Sequence, residues 1–396
     1  VLNEDSGEIE IYLSTKKEKV CCPKCGTITN KKKDSRTRIL KHGSSNGKVC
    51  KLYLTYIRYK CCACKSSFYE DISDVCQKYY RYSNVNILNV MKNLSDFKMS
   101  VKDISKMSNM DYRLINRLFN LRVHQEGLNN IVNLPPNIGI DEFKGNMKSK
   151  VGNKKIRIKY QIQITNLDTG QVIAVLPIKS EKCISNFLDK IKNKRDVKNV
   201  AIDMSMQFKR TFKRAFKNAN ISIDYFHVTK LVTTAVDNIR LELWRKYKAD
   251  KSAEAKEIRQ YLKSLKHCLL TDYEACKKEV YKTKIDIKLK NIFKHCAILE
   301  NAYKKLQEFY SIKRLESKEQ KVEAFKKWLN SIDEIKEFKT VKKTMFHWYT
   351  YIKNAYLTGY SNGKTEGNNN SIKVLKRVSY GFSDFEIGRN RILICS

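Results

Sequence analysis

The chain has 396 residues and a formal charge of +38, from 79 Lys and Arg against 41 Asp and Glu. That length allows two or three domains and a sizeable core. So positive a surface favours polyanions, whose phosphates release condensed counterions when neutralised. No apolar run reaches the ~18 residues of a membrane span, and no signal-peptide pattern opens the chain. Thirteen cysteines, several in close pairs, fit metal ligation in a reducing compartment better than a disulfide framework. The expectation is a cytoplasmic protein that binds nucleic acid and has no membrane partner.

In chain order, 50–59 alternates, with Leu52, Leu54, Tyr56 and Arg58 on one face, which predicts a strand. From about 83 to 122 the pattern is helical and free of Gly and Pro, and Pro135-Pro136 ends it as a linker. Three strand-like runs follow at 138–143, 155–165 and 171–177, with 166–170 the turn between the last two. Helices near 181–193 and 206–217 lead into strands ending at Asp203 and Asp224. A meander followed by alternating helices and strands predicts a mixed α/β sheet. From about 228 to 345 the signal is almost wholly helical, with Leu289, Ile292, Phe293, Cys296, Leu299, Tyr303, Leu306 and Tyr310 at steps of three and four.

Cys22-x2-Cys25 and Cys61-x2-Cys64 form two knuckles separated by 35 residues, each half of a tetrahedral zinc site, with a strand hairpin between them. Cys21 and Cys62 adjoin these positions and leave the register open, whereas Cys76 reads as core. Residues 100–118 then read as helix, turn, helix. Ser100 caps the first with Asp103 three residues on, Asn109 lies in the turn and Asp111 starts the second. Ile115 and Leu118 face the core, which leaves Arg113, Asn116 and Arg117 for DNA.

Three acids carry the chemistry. Asp141 and Asp203 end or interrupt apolar strands, and Glu366 stands among Gly, Ser and Asn at the start of a helix. Phosphoryl transfer with two cations needs carboxylates gathered so that the metals lie ~3.5–4 Å apart. A ribonuclease-H-like sheet gathers them on its first strand, at the end of its fourth and on a late helix, and the three acids fall at those positions. Lys373, Lys376 and Arg377 follow Glu366 and suit phosphate contacts. Glu142 points to the opposite sheet face. Trp348 has the reach to stack on a DNA base, yet at helical spacing with Tyr351, Ile352 and Ala355 it reads as core. His227 could contact a phosphate or orient Asp224, and the favoured reading is a packed, hydrogen-bonded core histidine.

Taken as a set, 138–143, 201–205, 223–228, 361–377, Ser379-Tyr380-Gly381-Phe382 and Arg389-Asn390-Arg391-Ile392-Leu393 resemble the signature blocks of one family. It is the zinc-finger DDE transposases of bacterial insertion sequences, the ISL-three group. The resemblance covers essentially the whole chain, the cysteine knuckles included. It implies Asp141, Asp203 and Glu366 as catalytic ligands of Mg²⁺ (or Mn²⁺), and Cys22, Cys25, Cys61 and Cys64 as ligands of structural Zn²⁺. It also implies recognition of terminal inverted repeats by the N-terminal region.

The expected architecture is α/β. A zinc-binding module (1–76) and a helix-turn-helix region (77–134) precede a ribonuclease-H-like catalytic domain in two parts (135–230 and 346–396), split by a helical insertion (231–345). The expected function is Mg-dependent cleavage and strand transfer of double-stranded DNA, repeats and target alike, by a homodimer or larger assembly in the synaptic complex. The alternatives are a catalytically silent DNA-binding protein descended from a transposase, and a ribonuclease-H-like nuclease.

Overall fold

The computed structural model describes residues 2–3, 7–15, 19–151, 153–275, 279–382 and 384–396. Val1, the first residue of the expected zinc-binding module, lies outside them. The chain divides into two units. One comprises Val1–Ile131, Lys144–Gln161 and Asn368–Ser396; the other comprises Val132–Phe143 and Ile162–Gly367.

In the second unit a five-stranded sheet runs in the order Val172–Leu176, Gln161–Asn166, Asn137–Phe143, Asn199–Ile202, Asn220–Ile223. The last three are parallel neighbours, whereas the first two pair antiparallel across the turn at 166–170. Strands buried on both faces need near-continuous apolar runs; accordingly Ile138, Ile140, Val200, Ile202 and Ile223 are all buried. Helices Glu181–Asp189 and Met206–Ala215 provide the crossovers. Ser180 and Ser205 start them by accepting the N–H of Cys183 and Phe208, which satisfies an otherwise orphan donor.

Between Tyr225 and Thr358 the described regular elements of this unit are all helices. The periodic series expected across 289–310 is two helices, Glu279–Phe293 and Ala297–Arg314, yet Leu289, Ile292, Cys296, Leu299 and Leu306 are all buried. Phe309 is stacked on Tyr225 at 5.6 Å and packs against Trp328 at 4.9 Å between centroids. Trp348 is buried too, edge-on to Tyr351 and with the Lys209 ammonium 4.7 Å above its ring. It is packed into the core.

In the first unit, the antiparallel strands Lys32–Ser45 and Lys48–Lys60 fill the gap between the cysteine knuckles. Leu40, Leu52, Leu54 and Cys76 form a buried cluster beneath them. Three helices follow, Asn84–Leu94, Val101–Ser108 and Tyr112–Gln125. Ser100 and Asp103 close a capping box, Asn109 ends the second helix in the left-handed region (φ 47°), and Asp111 accepts the Arg113 N–H. Each residue suits its position, because short polar side chains satisfy helix-end donors and Asn tolerates positive φ. Ile394 of the terminal helix Phe385–Cys395 joins their core. The buried Arg391 guanidinium donates to the carbonyls of Leu94, Asp96 and Met99.

One expected element is divided. Residues 155–165 do not make one strand: Lys154–Ile158 pairs with Met147–Val151 in a separate hairpin, and Gln161–Asn166 enters the five-stranded sheet. Lys154 to Arg157 are exposed, whereas Gln161 to Thr165 are buried. Lysines and arginines of that density cannot enter a doubly covered sheet, so the chain breaks at Lys159 and Tyr160.

Candidate active site and metal centre

The acids are aligned by strand register. Ile140 pairs with Ile202 and Ile202 with Ile223 across parallel strands. An aspartate follows each isoleucine, so Asp141, Asp203 and Asp224 stand side by side at the carboxyl ends of three adjacent strands. Open α/β sheets place their ligand crevices outside such strand ends.

Asp141 is buried, and its carboxyl is pushed up to about 8, first by burial and then by the charge and hydrogen bond of Asp203. His227 Nε2 lies 2.9 Å from Asp203 Oδ1, and that contact raises the imidazole above its ordinary value. Asp224 is raised by burial and then by the charge of Glu366. Its Oδ1 accepts the Asn362 N–H at 3.3 Å, and its Oδ2 has no hydrogen-bond partner among the described residues.

Glu366 stands in the first turn of the helix Gly363–Val378. The start of that helix is fastened to the sheet. Asn362 Nδ2 donates to the Ile140 carbonyl at 3.1 Å, and Gln163 Nε2 donates to the Thr365 carbonyl at 2.9 Å. Asn362 and Thr365 are both buried. Gly139 leaves the room: a Cβ there would lie 2.4 Å from Thr365 Oγ1 and 2.7 Å from Asn362 Oδ1.

Asp141 and Asp203 are thus in contact, with His227 on Asp203, and Glu366 acts on Asp224. Among the described residues, the set of metal-binding side chains whose donor atoms all lie within 4.8 Å of one another is the four cysteines; Asp141, Asp203 and Glu366 do not close that far. Like charges without a cation repel. The hard carboxylate oxygens of these acids suit a divalent cation, and beside them Asp224 Oδ2 is a buried carboxylate oxygen with no hydrogen-bond partner among the described residues. Glu142 turns away and pairs with Lys179.

The Cys22–Cys64 and Cys25–Cys61 sulfurs lie 3.6 and 3.5 Å apart. Zinc–sulfur bonds of ~2.3 Å in a tetrahedron put sulfurs ~3.8 Å apart, so this four-cysteine group can hold a metal such as zinc. The Ser66 hydroxyl, with backbone N–H groups of Lys24 and Cys25, brings the Cys22 thiol down to about 6 despite burial, towards the thiolate a metal needs. Cys21 and Cys62 are turned elsewhere, to the Gly26 carbonyl and the Thr29 hydroxyl.

The residues expected at DNA belong to the first unit. Arg113 and Arg117 are exposed and Asn116 half-buried on the helix Tyr112–Gln125, while Lys373 and Arg377 are exposed and Lys376 half-buried. His227, weighed from sequence as an orienter of Asp224 or a packed histidine, pairs instead with Asp203. One site residue, Asn362, escaped the sequence reading. Asn362 looked like one more loop residue; its position immediately before a helix was the available signal.

The acids thus gather at the carboxyl ends of parallel strands, with a further carboxylate on a late helix. Residues 138–392 match the family model of the ISL-three DDE transposases, described as a transposase. The match covers well over half of the chain, and the chain belongs to that family. A protein of Lactococcus lactis subsp. lactis described as an ATP-dependent protease is 46% identical over 57 residues, or 14% of this chain and 18% of that protein. The chain therefore spans under a fifth of that relative's length, and so short a match bears on neither fold nor chemistry.

Proposed function

We propose that the chain is a DNA transposase. It recognises the terminal inverted repeats of its element, cleaves DNA at their boundary and joins the freed end to target DNA. The observation that carries this is the register that sets Asp141 beside Asp203 while Asn362 fastens the Glu366 helix to the Asp141 strand. The sheet order third-second-first-fourth-fifth, with the acids on the first, fourth and a late helix, supports a ribonuclease-H-like catalytic domain.

Asp141, Asp203 and Glu366 would hold Mg²⁺ or Mn²⁺, which when bound supplies Lewis acidity at the phosphate and makes a water or 3′-hydroxyl a stronger nucleophile. His227 holds Asp203 in place. Arg113, Asn116 and Arg117 of a helix-turn-helix read the repeat, the zinc-bound cysteine module supports them, and Lys373, Lys376 and Arg377 take backbone phosphates. Two element ends must be brought together, which calls for a homodimer or larger assembly.

The test is incubation of zinc-loaded protein with a labelled duplex bearing its own element's terminal repeat, with and without Mg²⁺. Cutting at the repeat boundary with Mg²⁺ only, followed by joining to a second DNA, is expected. Tight binding without cutting would replace this reading with a silent DNA-binding protein, and cutting without joining with a nuclease.

A further inference from the structure

Within the first unit lies a cleft of about 930 Å³. Five cations line it, Lys144, Arg157, Lys373, Lys376 and Arg377, and among the described residues no carboxylate does. Three of them spend their donors on neutral acceptors. Lys376 Nζ bonds to the Lys144 carbonyl at 3.0 Å, Arg157 Nη1 to the Asn146 carbonyl at 2.8 Å and Lys373 Nζ to the Asn370 amide oxygen at 3.2 Å. Burial, and then the charges of Lys144 and Arg157, hold Lys376 below the ordinary ammonium range. Cations crowded in this way with no acid among them lack a counter-charge, which phosphates would supply.

Two tyrosines share the cleft. Tyr112 opens the helix Tyr112–Gln125 and is half exposed. Tyr380 is the unusual one. It follows the helix Gly363–Val378 with φ 53°, in the left-handed region, and is 96% exposed. For a residue with a Cβ that conformation costs about 1–2 kcal/mol, and Gly381 next to it also has positive φ (93°). The turn itself closes the helix, since the Tyr380 and Gly381 N–H groups donate to the Arg377 and Lys376 carbonyls at 3.1 and 2.8 Å, but that cap favours Gly or Asn and the fold makes no use of the exposed ring. A bulky aromatic where a small residue would cap as well, exposed beside five cations, is the feature that calls for a ligand.

We infer that this cleft is a nucleotide site, in which the cations hold the DNA backbone and Tyr380 stacks on a base that has left the duplex. Every base has a face on which an aromatic ring can stack, so the site accepts any sequence. The inference rests on the transposase reading and deepens it. It gives the protein a means of holding opened DNA, and it adds Lys144, Arg157 and Tyr380 to the DNA contacts.

The test measures binding without Mg²⁺, so that no cutting is involved. Two duplexes carrying the terminal repeat are compared, one fully paired and one with unpaired nucleotides at the boundary, including 2-aminopurine. Wild type is expected to bind the second more tightly and to quench its fluorescence. Tyr380→Ala should weaken that binding about ten-fold or more and abolish the quench, while the paired duplex changes less than about two-fold and Tyr380→Trp restores both. The double variant Lys144→Ala, Arg157→Ala should weaken both duplexes and flatten the salt dependence by about two contacts. If Tyr380→Ala matches wild type on the unpaired duplex, the stacking site is wrong; an unchanged salt slope in the double variant removes the phosphate site. Either failure leaves cleavage standing, and loss of cutting by the acid variants leaves this cleft standing. Wild type binding neither duplex overturns both readings.

Discussion

Gly139→Ala tests how the Glu366 helix is set against the sheet. The new Cβ would lie 2.4 Å from Thr365 Oγ1, 2.7 Å from Asn362 Oδ1 and 2.7 Å from Leu167 Cδ2. Ordinary carbon contacts are ~3.5–4.0 Å, so the helix start or the strand must retreat by about 1 Å. Thr365, Asn362 and Leu167 are buried, which leaves no soft direction to yield. Overpacking of this kind costs about 1–3 kcal/mol, and at about 2–4 °C per kcal/mol the thermal midpoint should fall by several degrees. Displacing Asn362 also stretches its bond to the Ile140 carbonyl and carries Glu366 away from the acids, and a 1 Å displacement costs about a hundred-fold in rate. Calorimetry and single-turnover cleavage measure the two effects. Gly367→Ala is the control, because its Cβ meets nothing within 4 Å and a helical Gly-to-Ala change should stabilise by about 0.5–1 kcal/mol. If Gly139→Ala melted with wild type and cut DNA at the wild-type rate, close packing would not be what positions the helix.

Three further outcomes are expected. Cys61→Ser should lose zinc by metal analysis and with it folding free energy on the order of 10 kcal/mol in the N-terminal module, seen as rapid proteolysis there; full zinc content in the variant would contradict the four-cysteine assignment. His227→Gln should lower cleavage about 10–100-fold, the usual effect of removing a partner that orients a metal ligand, and an unchanged rate would show that the Asp203 contact is idle. The third concerns pH. The raised Asp141 carboxyl gives stability that is fully present below its unfolded value of 3.8 and lost as pH rises through about 8. Without Mg²⁺, Asp141→Asn should therefore gain on wild type between those limits, by at most about 6 kcal/mol at about 1.4 per pH unit, and denaturant titrations across that range should show it. A difference independent of pH would mean that Asp141 is ionised throughout.

The parts of this fold that sequence discloses are those governed by local chemistry. The cysteine spacing marks the metal group, and Ser100, Asp103, Asn109 and Asp111 mark helix ends because capping involves residues within one turn. Ile-Asp occurs at the end of each of three apolar runs, a visible repeat, but its meaning depends on strand register, which couples residues 62 and 21 positions apart through Ile140, Ile202 and Ile223. Asn362 is less legible still, since its partner is the Ile140 carbonyl, 222 residues away. The division of 155–165 into two strands was hidden because alternation records only local periodicity, whereas the break is set by which residues the sheet can bury.

The central claim is that Asp141, Asp203 and Glu366 form one metal-dependent centre. Single-turnover cleavage of the terminal-repeat duplex by Asp141→Asn, Asp203→Asn and Glu366→Gln tests it most directly, beside Glu181→Gln, an exposed residue paired with Arg214. Each of the three acid variants is expected to bind the duplex as wild type does and to lose cutting in Mg²⁺, while Glu181→Gln cuts normally. Full cleavage by any one of the three would contradict the assignment.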